Sequence, residues 1–259
     1  MPKPEYEDHE IWERLYLAEA RQLAEGAVEH SWSEGEDGEQ EFDRRVLLVA
    51  KDKDVLDIGC GPGEFTLEIA KVARRVAGID FSERALLMAL DNRGLSDRSN
   101  VEFRLARADK LPYPENCFDL ATCRRGPAVD SDESIHEVHR VLRSGGHLVA
   151  QEIGERDKQN WAEIFESRSQ MHPGKVNVAV GVKNRLARAG FRSVQVDEFE
   201  AMEYFATVQD FIMRLENSPI IHDFDKARDE PRVREIAKWF TTPKGIASNT
   251  HRGLITATK

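Results

Sequence analysis

The sequence predicts a doubly wound α/β fold, a mostly parallel seven-stranded sheet with an antiparallel final strand. Three observations predict it. Short apolar segments alternate with amphipathic helical ones from Phe42 to Glu152, a glycine-rich turn at Gly59–Gly63 follows a buried segment and opens a helix, and the chain closes on the β-rich stretch HRGLITATK.

Residues 8 to 26 place Ile11, Leu15, Ala18 and Leu23 at near-helical spacing among charges, which predicts an amphipathic helix. SWSEGEDGEQ, residues 31 to 40, then reads as an exposed acidic loop. The strand segments are VLDIG (55 to 59), RVAGID (75 to 80), NVEFRLA (100 to 106), FDLATCR (118 to 124) and GHLVAQE (146 to 152). Between them, residues 65 to 73, 82 to 94 and 131 to 143 carry apolar residues three and four apart, as helices do. Ser82 is a helix N-cap by type, Asp130 or Ser131 starts the next helix, and Ser144-Gly145-Gly146 ends it.

After Glu152 the alternation loosens, a helix ends at Ala189-Gly190, and residues 191 to 205 read as a strand. Thr207 and Pro231 then open two helices, the first carrying Val208, Phe211, Ile212 and Leu215 and the second Val233, Ile236, Ala237 and Phe240. The organisation expected is an acidic N-terminal helical extension over 1–43 and a main domain over 44–259, with 206–241 inserted as a helical cap.

Charge and composition exclude several classes. Residues 1 to 43 hold fourteen Asp or Glu against Lys3, Arg14 and Arg21, so they account for the whole of the net charge of −10 and the rest is nearly neutral. An acidic total argues against bulk attraction to nucleic acid while leaving room for a local basic patch. No apolar run reaches the roughly 18 residues of a membrane span, and MPKPEYEDHE lacks the parts of a secretory signal, so a cytoplasmic protein is expected. Cys60, Cys117 and Cys123 are odd in number and lack C-x-x-C pairing, as reduced thiols do. HEVH, residues 136 to 139, sets its histidines three apart where H-E-x-x-H sets them four apart, so no metal is expected and His139 reads as a partly buried helix residue.

The chemistry lies in Asp57-Ile58-Gly59-Cys60-Gly61-Pro62-Gly63, where a doubly wound sheet binds nucleotides at the carboxyl ends of its strands. Glycines let the backbone turn tightly and approach a ligand. A dinucleotide fingerprint counted from Gly59 requires glycine at 64, and the chain has Glu64, which weakens a nicotinamide-dependent oxidoreductase reading. G-x-G-x-G after an acidic residue, in the form VLDIGCGPGEFT, instead resembles motif I of the class I S-adenosylmethionine-dependent methyltransferases. LPYPENCFDLATC and EVHRVLRSGGHLV resemble later motifs of the same family, so that the likeness covers about residues 40 to 155.

This resemblance implies a Rossmann-like fold, S-adenosylmethionine as cofactor, and a loop of Asp57, Gly59, Cys60, Gly61 and Gly63 around its methionine and ribose portion. It implies that Asp80, in VAGIDFS, accepts the ribose hydroxyls, that Phe81 packs on adenine, and that Asp109, followed by Lys110, receives the adenine amino group. Arg124 is a contact for the cofactor carboxylate or a grip on the acceptor, and Cys123, Arg125, Gln151 and Glu152 share its side of the fold. Methyl transfer is an in-line displacement that needs positioning and, for a protonated acceptor, a base, for which Glu152 is the candidate. A small-molecule acceptor is expected, because the acidic extension adds no nucleic-acid arm and 206–241 reads as a lid. An RNA methyltransferase is the alternative, marked by a basic track through Arg124, Arg125, Arg185, Arg188 and Arg192, and a non-catalytic cofactor-binding protein is a further one.

Overall fold

The computed structural model describes residues 9–96, 98–168, 178–221 and 223–259. Its strands are β1 (Ser31–Gly35), β2 (Asp54–Ile58), β3 (Arg75–Asp80), β4 (Val101–Leu105), β5 (Phe118–Arg124), β6 (Leu142–Ile153), β7 (Arg192–Phe205), β8 (Thr241–Thr242) and β9 (Gly245–Thr258). Its α-helices are α1 (His9–Ala24), α2 (Gly38–Ala50), α3 (Glu64–Ile69), α4 (Glu83–Gly94), α5 (Asp132–Val141), α6 (Gln159–Ala162), α7 (Val178–Arg188), α8 (Val208–Glu216) and α9 (Glu230–Phe240). Contacts divide the chain into two units, one of Met1–Asp37, Gly154–Val176 and Phe199–Arg252, the other of Gly38–Ile153, Asn177–Glu198 and Gly253–Lys259. A boundary at 43/44 therefore falls inside α2, which belongs wholly to the second unit.

In the second unit β2 is buried at every position and pairs in parallel with β3 on one side and β5 on the other, with β4 beyond β3 and β6 beyond β5. Val55, Leu56 and Ile58 supply the apolar side chains of a parallel strand covered on both faces, and the aspartates at its start and near its end are buried with them. β9 runs against β6: at one end Lys259 N–H donates to Gly146 O at 2.9 Å and Lys259 O accepts from Gly145 N–H at 3.0 Å, and at the other Gly154 N–H donates to His251 O at 2.8 Å, so one strand advances as the other returns. The final strand is thus antiparallel, as the sequence predicts. The helix starts also agree with their capping residues: Ser82 Oγ accepts from Ala85 N–H at 3.1 Å and Ser131 Oγ from Ser134 N–H at 3.0 Å. Leu56, Ile58, Ala77, Ile79, Leu148 and Val138 belong to one continuous core between sheet and helices.

The first unit has its own core, in which Phe211 of α8 and Ile236 of α9 share a cluster with Trp161, Phe165 and Phe205. Thr207 and Asp210 form a reciprocal capping box at the start of α8. Beside this core Lys158, 2% exposed, donates to Glu203 at 2.6 Å, and Arg214 bridges Glu203 at 2.8 Å and Glu29 at 2.6 Å. Charges this deeply buried persist only when each is paired.

The expectation of seven strands is corrected to nine among the described residues, β1 and β8 being the additional ones. Residues 31–35, read from sequence as a loop, form β1 by pairing with Phe205–Ala201, and Trp32 stacks on Tyr204 with centroids 5.9 Å apart. That strand is made by its partner, because SWSEG has no apolar face of its own. Among the described residues no helix is long and apolar enough to cross a membrane.

Candidate active site

The glycine loop joins β2 to α3. Gly59, Gly61 and Gly63 have φ of +70°, +52° and +79°, and Gly59 and Cys60 N–H both donate to Ile79 O, at 2.8 and 2.9 Å. Gly63 is fixed by space as well as by φ: a Cβ there would lie 2.6 Å from Phe103 Cζ and 3.0 Å from Ala89 Cβ.

Two buried carboxylates organise this turn. Asp80, 4% exposed at the end of β3, accepts Gly61 N–H at 3.0 Å through Oδ2 and Ser82 N–H at 2.9 Å through Oδ1. A carboxylate oxygen can accept more than one hydrogen bond, so holding the loop is compatible with receiving a ligand hydroxyl. Asp57 accepts from Thr66 Oγ1 at 2.6 Å. Burial pushes its carboxyl up to about 6, with the Asp80 charge adding to the rise against the Thr66 hydrogen bond and the Arg124 charge.

A raised carboxyl binds its proton more tightly folded than unfolded, so the stability it contributes is present below the ordinary carboxylate range and is lost as pH rises toward 6. Asp57→Asn is therefore expected to gain on the order of 3 kcal/mol over wild type at pH 7 relative to pH 4. Urea midpoints at the two pH values check this, and an equal difference at both would remove Asp57 as the cause.

Arg124 ends β5 with its guanidinium 5.0 Å from the ring centroid of Phe65, in the first turn after the glycine loop, and 3.4 Å from Asp43. Arg125, φ +54°, pairs with Glu39 at 3.4 Å. The first turns of α2 thus set two acids four residues apart against two consecutive arginines, and Gly38 O accepts from Gln151 Nε2 at 2.8 Å. Sequence reading missed α2, Thr66 and these acids, although Glu39 and Asp43 at helical spacing were the available signal.

The remaining predicted residues lie as follows. Phe81 is half-buried between Asp80 and the Ser82 cap. Asp109 follows β4 and is held by Arg107 at 2.9 Å, an exposed pair worth at most about 1 kcal/mol, and Lys110 is exposed beside it. Glu152 follows Gln151 and so takes the other face of β6. Its Oε1 is inaccessible and has no hydrogen-bond partner among the described residues, and burial together with the Asp130 charge raises its carboxyl well above the ordinary range, against the opposing Arg185. Burial also pushes up the Cys60 and Cys123 thiols, which disqualifies both as nucleophiles at neutral pH. His139 packs edge-on against Phe191, with centroids 5.0 Å apart. Among the described residues no group of three or more His, Cys, Asp or Glu is placed to hold a metal ion.

Comparison with known proteins identifies the family. The methyltransferase-domain family matches residues 50–210. A demethylmenaquinone methyltransferase of Listeria welshimeri is 30% identical over 128 residues, which are 48% of this chain and 54% of that protein. The chain spans about half the length of the curated relatives it matches. The structure of the YcgJ protein of Bacillus subtilis superposes with a TM-score of 0.64 at 16% identity, covering 85% of this chain and 98% of that one. An S-adenosylmethionine-dependent methyltransferase from Mesorhizobium loti gives 0.52 at 20%, covering 86% and 98%. At these identities the two structures show the fold alone. The match over residues 50–210 makes the chain a member of the methyltransferase-domain family, with the Rossmann-like fold of the S-adenosylmethionine-dependent class I enzymes.

Proposed function

We propose that the chain binds S-adenosylmethionine on the loop Asp57–Gly63 and transfers its methyl group to a small-molecule acceptor. The observation that carries this reading is the clamp of Asp80 on Gly61 N–H beneath three glycines of positive φ. It sets glycine backbone bare of side chains and a buried carboxylate at the carboxyl ends of β2 and β3, where a ribose and an amino-acid tail would lie. In this reading Asp80 receives the ribose hydroxyls, Phe81 packs on adenine, Asp109 takes the adenine amino group beside Lys110, and Arg124 faces the cofactor carboxylate. The bound cofactor supplies an electrophilic methyl group. For an acceptor that loses a proton Glu152 is the base we assign, a carboxyl near the carboxyl end of β6 whose inaccessible Oε1 has no hydrogen-bond partner among the described residues.

Two observations favour a small acceptor over RNA. The curated relatives that match include demethylmenaquinone methyltransferases, and three of the five arginines that would form a basic track are paired with acids. Arg124 pairs with Asp43, Arg125 with Glu39 and Arg185 with Asp132. The three cysteines are unpaired, in keeping with a reducing compartment, and we place the protein in the cytoplasm on that ground.

Calorimetric titration with S-adenosylhomocysteine and, separately, with reduced nicotinamide dinucleotide tests the cofactor. Binding of the first alone is expected. Binding of the second alone, or of neither, would overturn the reading.

A further inference from the structure

β4 ends the order of the sheet, so among the described residues it has a strand neighbour, β3, on one side only. Its hydrogen bonds show what the other side presents. Asn100 O accepts from Val76 N–H at 2.9 Å, and Ala106 N–H donates to Asp80 O at 2.9 Å. Successive residues of a strand direct their N–H and C=O to opposite sides, so the even-numbered residues face β3 while Val101, Phe103 and Leu105 turn theirs outward. Arg93 of α4 agrees with that direction, its Nη1 donating to Val101 O at 3.2 Å.

The side chains of this edge divide by face. Phe103 is turned toward α4, where a Cβ on Gly63 would meet its ring and Ala89 together. Leu105 shares that face by the period of two and is 53% exposed. On α4, Arg93 marks the flank beside the open edge, and Leu90, three residues earlier on the same flank, is 41% exposed. The other face of β4 carries Glu102 and Arg104, both part-exposed and 3.1 Å apart, with the Arg104 guanidinium 5.1 Å from the ring centroid of Tyr113. An open edge templates further strand pairing unless charge or a bulge opposes it.

Here the charges select a partner instead of repelling one. When β4 pairs in antiparallel fashion with its own copy, a two-fold axis through residue 102 opposes glutamate to glutamate, and one through residue 104 opposes arginine to arginine. An axis through Phe103 sets Glu102 of each copy opposite Arg104 of the other, so one short edge makes an attractive pair on either side of the axis. The same axis lets Phe103 exchange backbone bonds with its counterpart and Val101 with Leu105, which uses the outward groups along the whole strand. Opposed residues point to one face, so Leu105 lies beside the partner's Val101 and the two Leu90 flanks meet above the joined strands.

We propose that β4 is a homodimer interface, at which two copies join edge to edge about Phe103 with Glu102 and Arg104 as the ion pairs and Leu90 and Leu105 as the apolar flank. The proposal does not rest on the cofactor reading.

Sedimentation of the full chain over a concentration series tests it. The wild type is expected to form a dimer. Glu102→Arg and Arg104→Glu each turn both pairs repulsive, and each is expected to weaken self-association about tenfold to a hundredfold. Circular dichroism establishes that each variant is folded. The two variants mixed in equal amounts are then expected to regain the dimer, because their heterodimer opposes arginines of one chain to glutamates of the other at both positions. No effect confined to either chain alone produces that recovery. A wild type that stays monomeric throughout the series, a dimer indifferent to both reversals, or a mixture that stays monomeric overturns the proposal. Should a variant fail to fold, amide exchange of the wild type reads the same edge. Phe103 and Leu105 N–H should gain protection as concentration rises, and exchange indifferent to concentration refutes the pairing.

Discussion

Gly63→Ala should cost about 2 to 5 kcal/mol of stability, the largest single effect expected in the glycine loop. Two terms add. A residue with a Cβ at φ +79° costs about 1 to 2 kcal/mol, and its Cβ would sit 2.6 Å from Phe103 Cζ in a packed interior, an overlap typically costing about 1 to 3 kcal/mol. Urea unfolding measures the sum, and a double-mutant cycle with Phe103→Ala separates the parts. Removing the ring should recover the steric share and leave the backbone share, so additive losses would show that Phe103 is not what the new methyl meets. Because Gly63 also starts α3, cofactor affinity should fall even where the variant remains folded.

The second large effect is expected at Asp80. Truncation to alanine removes the acceptor of two buried N–H groups, those of Gly61 and Ser82, at about 1 to 3 kcal/mol each. If the ribose is held as proposed, it also removes two hydrogen bonds to a charged oxygen. S-adenosylhomocysteine affinity should then fall at least about a hundredfold. The ribose is common to 5′-methylthioadenosine, which keeps the nucleoside and lacks the amino acid, so both ligands should weaken together. Asp80→Asn, which keeps one carbonyl oxygen, should fall between wild type and Asp80→Ala in both stability and affinity. Unchanged affinity in a folded Asp80→Ala would remove Asp80 from the ribose site.

These two residues were legible in the sequence for a physical reason. A glycine loop between a buried strand and a helix, with an acid one strand later, is local chemistry that must be written where it acts. Asp80 lies at the end of its own strand, and Ser82 caps the helix that follows it, so no distant partner is needed to read them. Gln151 and α2 differ. SWSEGEDGEQ looks like an acidic loop because its charges are visible and their partners are not. The structure resolves it into β1, whose partner lies in Ala201–Phe205, and the start of α2, whose Glu39 meets Arg125. Pairings separated by tens to hundreds of residues leave no local period to detect. The bond of Gln151 to Gly38 is of the same kind, joining residues 113 apart in the chain.

The pairing of β1 with β7 also has a consequence in time. Ser31 meets Phe205 and Gly35 meets Ala201, partners about 170 residues apart in the chain. At ribosomal rates of about 5 to 20 residues per second, β1 emerges roughly 10 to 30 seconds before its partner is made. Through that interval Trp32 has no Tyr204 to stack on and the strand has no ladder. The heavy negative charge around it, in Glu29, Glu34, Glu36, Asp37 and Glu39, then has a use the finished fold does not reveal. Like charges keep a waiting strand from pairing with its copy on a neighbouring nascent chain, so neutralising them should lower the yield of soluble protein during synthesis more than it lowers the stability of the folded product.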